Sequence, residues 1–212
     1  MHLLQDEANS PFNRTNWSQM RQPPDTIQPG IRVGITGAQG VGKSTLARAL
    51  AQELNLPLIE EVARTVQSLG FTLGLATTLL AQAAMWFAQF DLEHRLQSYI
   101  ADRTLFDVVT HSSLLVQRTQ NKQDELLVNT LGNATACILG KHYSFFFYIP
   151  IEFPLEGDGV REQDLQFQQA LDVKTLELLQ EFQLPYVTLR GSIAERFAHA
   201  RQVIGEYSKD SL

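Results

Sequence analysis

One segment concentrates the chemistry. Gly37-Ala38-Gln39-Gly40-Val41-Gly42-Lys43-Ser44, with Thr45 behind it, fits the pattern G-x-x-x-x-G-K-[ST]. Its glycines let the backbone curl until successive N–H groups point inward, and a helix beginning there adds about half a positive charge. Such a loop cradles a polyphosphate. Within it Lys43 would reach the β- and γ-phosphates, and the Ser44 hydroxyl is of the kind that ligates Mg²⁺. A glycine turn merely capped by Ser44 is the plainer alternative. It is disfavoured by context, because the apolar run Ile31–Thr36 lies directly before the loop, while Leu46, Leu50 and Leu54 follow at helical spacing. Residues 37 to 45 are therefore the expected nucleotide site, with ATP and Mg²⁺ as ligands.

Three further segments carry acids or arginines. Asp102 closes the run Ser98–Asp102 and is followed by Arg103 and Thr104, placing a carboxylate where a parallel sheet opens onto its ligand crevice. Asp102 is expected beside the metal with Ser44, either through water on Mg²⁺ or by orienting an attacking hydroxyl. Its structural alternative is a helix N-cap for the segment from Phe106. Glu60-Glu61-Val62-Ala63-Arg64 leaves the second apolar run at the same edge, and one of its two adjacent acids, Glu60 or Glu61, is a candidate general base. Adjacent acids also occur in first helical turns for dipole reasons alone. Finally, Pro154 to Arg161 includes Gly157 and Gly159, the composition of a flap whose closure would carry Arg161 to a transferring phosphoryl group. An exposed connection is equally consistent with it.

Short apolar runs alternate with longer helical patterns, which is how a parallel sheet with crossover helices reads in sequence. Strands are expected at Ile31–Thr36, Pro57–Glu60, Ser98–Asp102, Ser144–Ile149 and Tyr186–Leu189. The helical stretches include an apolar stripe of Leu79, Ala83, Phe87 and Phe90, then about 106–117, 124–139, 163–182 and 193–204. Handed crossovers leave an α/β, three-layer P-loop NTPase fold with an open, mainly parallel five-stranded sheet. Residues 1–29, rich in Pro, Asn and Ser, are expected as an N-terminal arm, 30–207 as the domain and 208–212 as a tail.

Composition narrows the partners. The 212 residues carry a formal charge of -6, so no basic field attracts nucleic acid or an anionic membrane, and nucleic acid is a disfavoured partner. Cys137 is the single cysteine, and the start of the chain lacks a basic region followed by an apolar run. A cytoplasmic location is expected. The uncharged stretch Thr72–Phe90 holds enough Thr and Gln to be read as a buried helix rather than a membrane span.

Taken in order, Gly37 to Thr45, Glu61-Val62-Ala63-Arg64, Asp102-Arg103, Asp158-Gly159-Val160-Arg161 and Leu184 to Leu189 resemble AAA-type P-loop kinase-like ATPases. More narrowly, they resemble the ribosylnicotinamide kinase domain of bifunctional bacterial NAD-biosynthesis proteins, over about residues 30 to 205. The resemblance implies a nucleoside/nucleotide-kinase-like fold and transfer of the γ-phosphate of ATP to a small nucleoside-like hydroxyl. It implies Lys43 and Ser44 at phosphate and Mg²⁺, Glu61 and Asp102 toward the acceptor, and Arg161 as a lid arginine. The Asp102-Arg103 pair also resembles thymidylate and deoxynucleoside kinases, in which the arginine holds phosphate. A regulatory module that hydrolyses a nucleoside triphosphate, and a nucleic-acid end or modified-base kinase, are the competing expectations; homo-oligomers are compatible with all three. Trp86, Phe90 and His94 are weighed as pocket residues against plain packing, Arg190-Gly191 as a possible adenine-side pair, and Asp107, His111, His142 and His199 form no evident ligand cluster.

Overall fold

The computed structural model describes residues 30–73, 77–119, 121–152 and 165–210. Its five strands are β1 (Arg32–Thr36), β2 (Leu58–Ile59), β3 (Tyr99–Asp102), β4 (Phe145–Tyr148) and β5 (Tyr186–Thr188), in spatial order β2-β3-β1-β4-β5. Every pairing is parallel. The helices are α1 (Lys43–Leu54), α2 (Ala63–Ser68), α3 (Leu79–Arg95), α4 (Leu105–Thr119), α5 (Lys122–His142), α6 (Leu165–Glu181) and α7 (Ile193–Asp210).

The central strands are buried on both faces, and their side chains alternate between two cores. Ile35, Ile100 and Phe147 pack with Leu46 and Leu50 of α1 and Ile204 of α7. Tyr99, Ala101 and Phe146 pack on the other side, with Trp86 of α3, Phe106 of α4, Leu139 of α5 and Leu178 of α6. This is the expected three-layer α/β arrangement. Gly34, in the middle of β1, has no room for a side chain: a Cβ there would stand 2.7 Å from Thr104 Cγ2 and 2.8 Å from the Phe146 ring. The start of α4 can therefore lie directly on β1.

Several local expectations change. Of the expected α3 stripe, Leu79 and Ala83 are buried and Phe90 packs on the core, but Phe87 is 63% exposed. The inward face also carries Gln82, Met85, Trp86, Gln89 and Glu93, because polar side chains there bond to α4 and its approach rather than to water. A two-turn helix, α2, follows the second strand without an apolar stripe to announce it. The last helix runs to Asp210, past the end expected for it at about 204. No helix of the described residues is long and apolar enough to cross a membrane.

Sheet register sets up everything downstream. Ile35 lies opposite Asp102, and Thr36 opposite Tyr148, so β1, β3 and β4 end together at one edge. An open α/β sheet binds its ligands at that edge. Overpacking a site this close costs about 1–3 kcal/mol, so Gly34→Ala is expected to lower the unfolding free energy by that amount in a urea titration. An unchanged midpoint would contradict the close approach of α4 to β1.

Candidate active site

The glycine-rich loop leaves β1 at Thr36 and enters α1 at Lys43. Gly37, Gly40 and Gly42 all take positive φ, of 138°, 78° and 92°. At Gly37 a Cβ would also run into the carbonyl oxygen of Ile149. Three side chains hold carbonyls of the loop. Gln168 of α6 donates Nε2 to the Gln39 carbonyl at 2.8 Å, Arg196 of α7 donates to the Val41 carbonyl at 2.6 Å, and Lys43 Nζ donates to the Ala38 carbonyl. With carbonyls held by side chains and positive φ at three glycines, the loop suits an anion nest, in which successive N–H groups receive a phosphate. The first turn of α1 carries no acid to offset its positive end.

Arg196 is itself buried and anchored. Glu152, just past β4, accepts from Arg196 at 2.8 Å and from the Gly191 N–H at 2.8 Å. Hydrogen bonding from Arg196 is the largest reason that the Glu152 carboxyl sits below its ordinary range. Arg190, expected as a possible adenine-side residue, lies 3.5 Å from the same carboxylate.

Facing the loop are the ends of β2 and β3. Asp102 is buried, and its Oδ1 accepts no hydrogen bond. Arg103 takes a left-handed φ of 76° and places Nε 2.7 Å from Glu61 Oε1. That conformation costs an ordinary residue about 1–2 kcal/mol. Burial opposes the Arg103 charge, but Glu61, Asp107 and Asp102 outweigh it and hold the guanidinium firmly protonated. Glu60 points elsewhere, 3.5 Å from Arg48 on the exposed flank of α1. The two adjacent acids thus take opposite directions, as neighbours leaving a strand do.

Lys43 is 5% exposed, and its pKa falls to about 7. Desolvation is the main cause and Arg103 adds to it, while Asp107, Asp102 and Glu61 pull the other way. Asp107 is the residue that sequence reasoning passed over. It accepts from the Thr36 hydroxyl at 2.7 Å and from the Thr104 N–H and hydroxyl at 2.8 and 2.9 Å. Burial raises its pKa, against the pull of Arg103, Thr36 and Lys43. Thr104 and Asp107 cap α4 together, so the capping alternative considered for Asp102 is filled by other residues. The spacing Thr104-x-x-Asp107 directly after a strand was the available signal. Gln168, Glu152 and Arg196 had none, since each acts across a long stretch of chain.

The structure brings Lys43, Glu61, Asp102 and Arg103 to one edge. Arg161 and the flap around it, and the arm 1–29, lie outside the described residues. Among the described residues no group of three or more His, Cys, Asp or Glu could hold a metal. Mg²⁺ does not require one: it is ordinarily held by one or two protein oxygens together with phosphate and water. The unpartnered Asp102 Oδ1 and the Ser44 hydroxyl are hard oxygen donors that suit it. Trp86 is a core residue, with Nε1 donating to Thr135 Oγ1 at 2.7 Å and its ring stacked on Phe90. His94 is exposed and bonded to the Phe90 carbonyl at 2.8 Å. His111 lies 2.9 Å from Gln82 Nε2, and His142 is buried away from the loop near Arg32, with its pKa lowered to about 4, chiefly by burial.

Fold and loop together define a P-loop α/β protein of nucleotide-kinase architecture. The family profile of an AAA domain matches residues 32–196, and the chain belongs to that family. Solved structures similar to it include a NadR protein in complex with NR, at 23% identity and a TM-score of 0.70 over 84% of this chain and 52% of that one. The chain thus spans about half the length of the NadR chain that it matches. A deoxyadenosine kinase from M. mycoides matches at 15% identity and a TM-score of 0.60, over 83% of this chain and 99% of that one. Thymidylate kinase from Candida albicans matches at 18% identity and 0.59, over 87% and 94%. No curated protein matches by sequence.

Arg196→Met removes the donor to both Val41 and Glu152. It is expected to cost about 1–3 kcal/mol of stability and to speed amide exchange across residues 40 to 43. Unchanged exchange there would contradict the tether.

Proposed function

We propose that this protein transfers the γ-phosphoryl group of ATP to a hydroxyl of a small nucleoside-like acceptor, with ribosylnicotinamide as the first acceptor to test. One observation carries the reading. The Lys43 amine, readily protonated beside an anion, and the Arg103 guanidinium share a sheet edge with Glu61, Asp102 and Asp107, next to a loop whose backbone can bind phosphate. Phosphoryl transfer asks a protein mainly for positioning and charge stabilisation, and this edge supplies both. The fold likeness to NadR and to nucleoside and nucleotide kinases supports the same class.

In this reading residues 37 to 45 hold the donor phosphates, and Lys43 regains its proton against their charge. Mg²⁺, held through Ser44 and Asp102, would neutralise phosphate oxygens and fix their geometry. The acceptor oxygen forms the new P–O bond in line with the γ-phosphorus. The bond to the β–γ bridging oxygen breaks, and ADP leaves with that electron pair. The acceptor proton passes to a carboxylate, either Glu61 or Asp102. Arg103 and, from the flap, Arg161 offset charge on the transferring group. The catalytic domain is assigned to residues 30–207, in the cytoplasm.

The test is incubation of the purified protein with Mg²⁺, γ-labelled ATP and a panel of ribosylnicotinamide, deoxynucleosides, nucleoside monophosphates and oligonucleotides. Label on a small acceptor is expected. Label on oligonucleotide ends alone, or only free phosphate, would replace this reading by an end kinase or a hydrolysing regulatory module. With the labelled acceptor, Asp102→Asn is expected to lower kcat by about 10²–10⁴-fold while ATP is still bound. Wild-type turnover in that variant would reject the role given to Asp102.

A further inference from the structure

The turn between β3 and α4 is buried, and its backbone groups are bonded almost entirely to side chains and a neighbouring strand. The Arg103 N–H donates to the Ile35 carbonyl at 3.2 Å, and the Thr104 N–H donates to Asp107 at 2.8 Å. The other two partners come from α3. Gln89 Nε2 donates to the Arg103 carbonyl at 3.1 Å and to Glu93 Oε1 at 2.8 Å, and the same Glu93 oxygen accepts the Leu105 N–H at 3.1 Å. Gln89 and Glu93 are 1% and 0% exposed. They grip the backbone just after Arg103, at its own carbonyl and at the Leu105 N–H, while Ile35 holds its N–H; Arg103 is the residue whose left-handed φ of 76° is unfavourable for any side chain with a Cβ.

We propose that Gln89 and Glu93 are positioning residues for Arg103: gripping its carbonyl and the turn that follows it, they keep it left-handed, so that its guanidinium meets Glu61 rather than swinging off the sheet edge. An amide and an acid buried on the core face of a helix, and joined to each other there, are otherwise a poor choice beside Leu or Met. The bonds from Gln89 and from the Leu105 N–H both reach Glu93 Oε1, an acceptor that a Gln amide retains, and burial pushes the Glu93 carboxyl up to about 7. In its consequence for turnover the proposal rests on the phosphoryl transfer given above; its structural part does not.

The experiment compares Gln89→Met, Glu93→Leu and Glu93→Gln in the full-length protein. Its first readout is the ¹⁵N-detected Nε–H resonance of Arg103, assigned by its loss in Arg103→Lys. Its second is steady-state kinetics with ATP and whichever panel acceptor is labelled. The resonance is expected to shift or broaden in the Met and Leu variants and to stay in place in Glu93→Gln. In the first two, kcat should fall by about tenfold to a hundredfold with KM for ATP held within about twofold, as expected for a misplaced group beside an intact donor site. Glu93→Gln should keep most of the turnover. An unmoved Arg103 signal in Gln89→Met, or a Glu93→Gln protein as defective as Glu93→Leu, would overturn the proposal. If Glu93→Leu does not fold, Gln89→Met and Glu93→Gln decide between the same outcomes. A wild-type protein that labels no acceptor would remove the kinase reading, and the resonance would still test the grip.

Discussion

An ammonium group buried in a loop with little water around it sets the terms for the whole edge of the sheet. Lys43 begins α1, so its backbone position is fixed by that helix, and its side chain folds back onto the Ala38 carbonyl within the loop it belongs to. Desolvation removes most of its preference for carrying charge at neutral pH. Three carboxylates restore part of that preference, and the Arg103 guanidinium takes some away. An anion of high charge delivered to the concave side of the loop would settle the balance by adding a strong attraction. Among the described residues no ion pair within 4 Å holds Lys43, and the site is poised by its own desolvation.

Such a site works only if its backbone stays in place. The loop's carbonyls are tied to α6 and α7 through Gln168 and Arg196, and the facing turn is tied to α3 and α4 through Gln89, Glu93 and Asp107. Each tie is a side chain bonded to a backbone group outside the regular ladders of the sheet and helices. Helices on both faces of the sheet therefore take part in the site. The cost is an unusually polar inner face on α3, with Gln82, Gln89 and Glu93 where a purely structural helix would carry aliphatic residues.

That polar face explains what was and was not legible in the sequence. The loop was legible because its chemistry is local: glycines, lysine and serine must lie within nine residues to make one nest. The strands were legible because a strand covered on both faces has to be apolar throughout, as Phe145 to Tyr148 is. The stripe expected on α3 failed at Phe87, because periodicity assigns apolar residues to the inside, while here hydrogen bonding to α4 and its approach turns a polar face inward. Glu60 and Glu61 could not be separated by type or spacing; only the direction in which the chain leaves β2 sends one to Arg48 and the other to Arg103. Arg196 and Val41 are 155 residues apart, a separation at which sequence pattern carries no information about contact.

The most direct test is calorimetric titration of Mg·ATP into the protein in two buffers of different ionisation enthalpy. Because the free-protein pKa of Lys43 lies near 7, the group is mostly neutral at about pH 8.5 and must be protonated when the triphosphate arrives, so uptake of about one proton per ATP bound is predicted. Affinity should correspondingly weaken as pH rises above about 7, and Lys43→Met should abolish the uptake. Tight binding with no proton taken up, or the same uptake in Lys43→Met, would contradict a phosphate site built around this lysine.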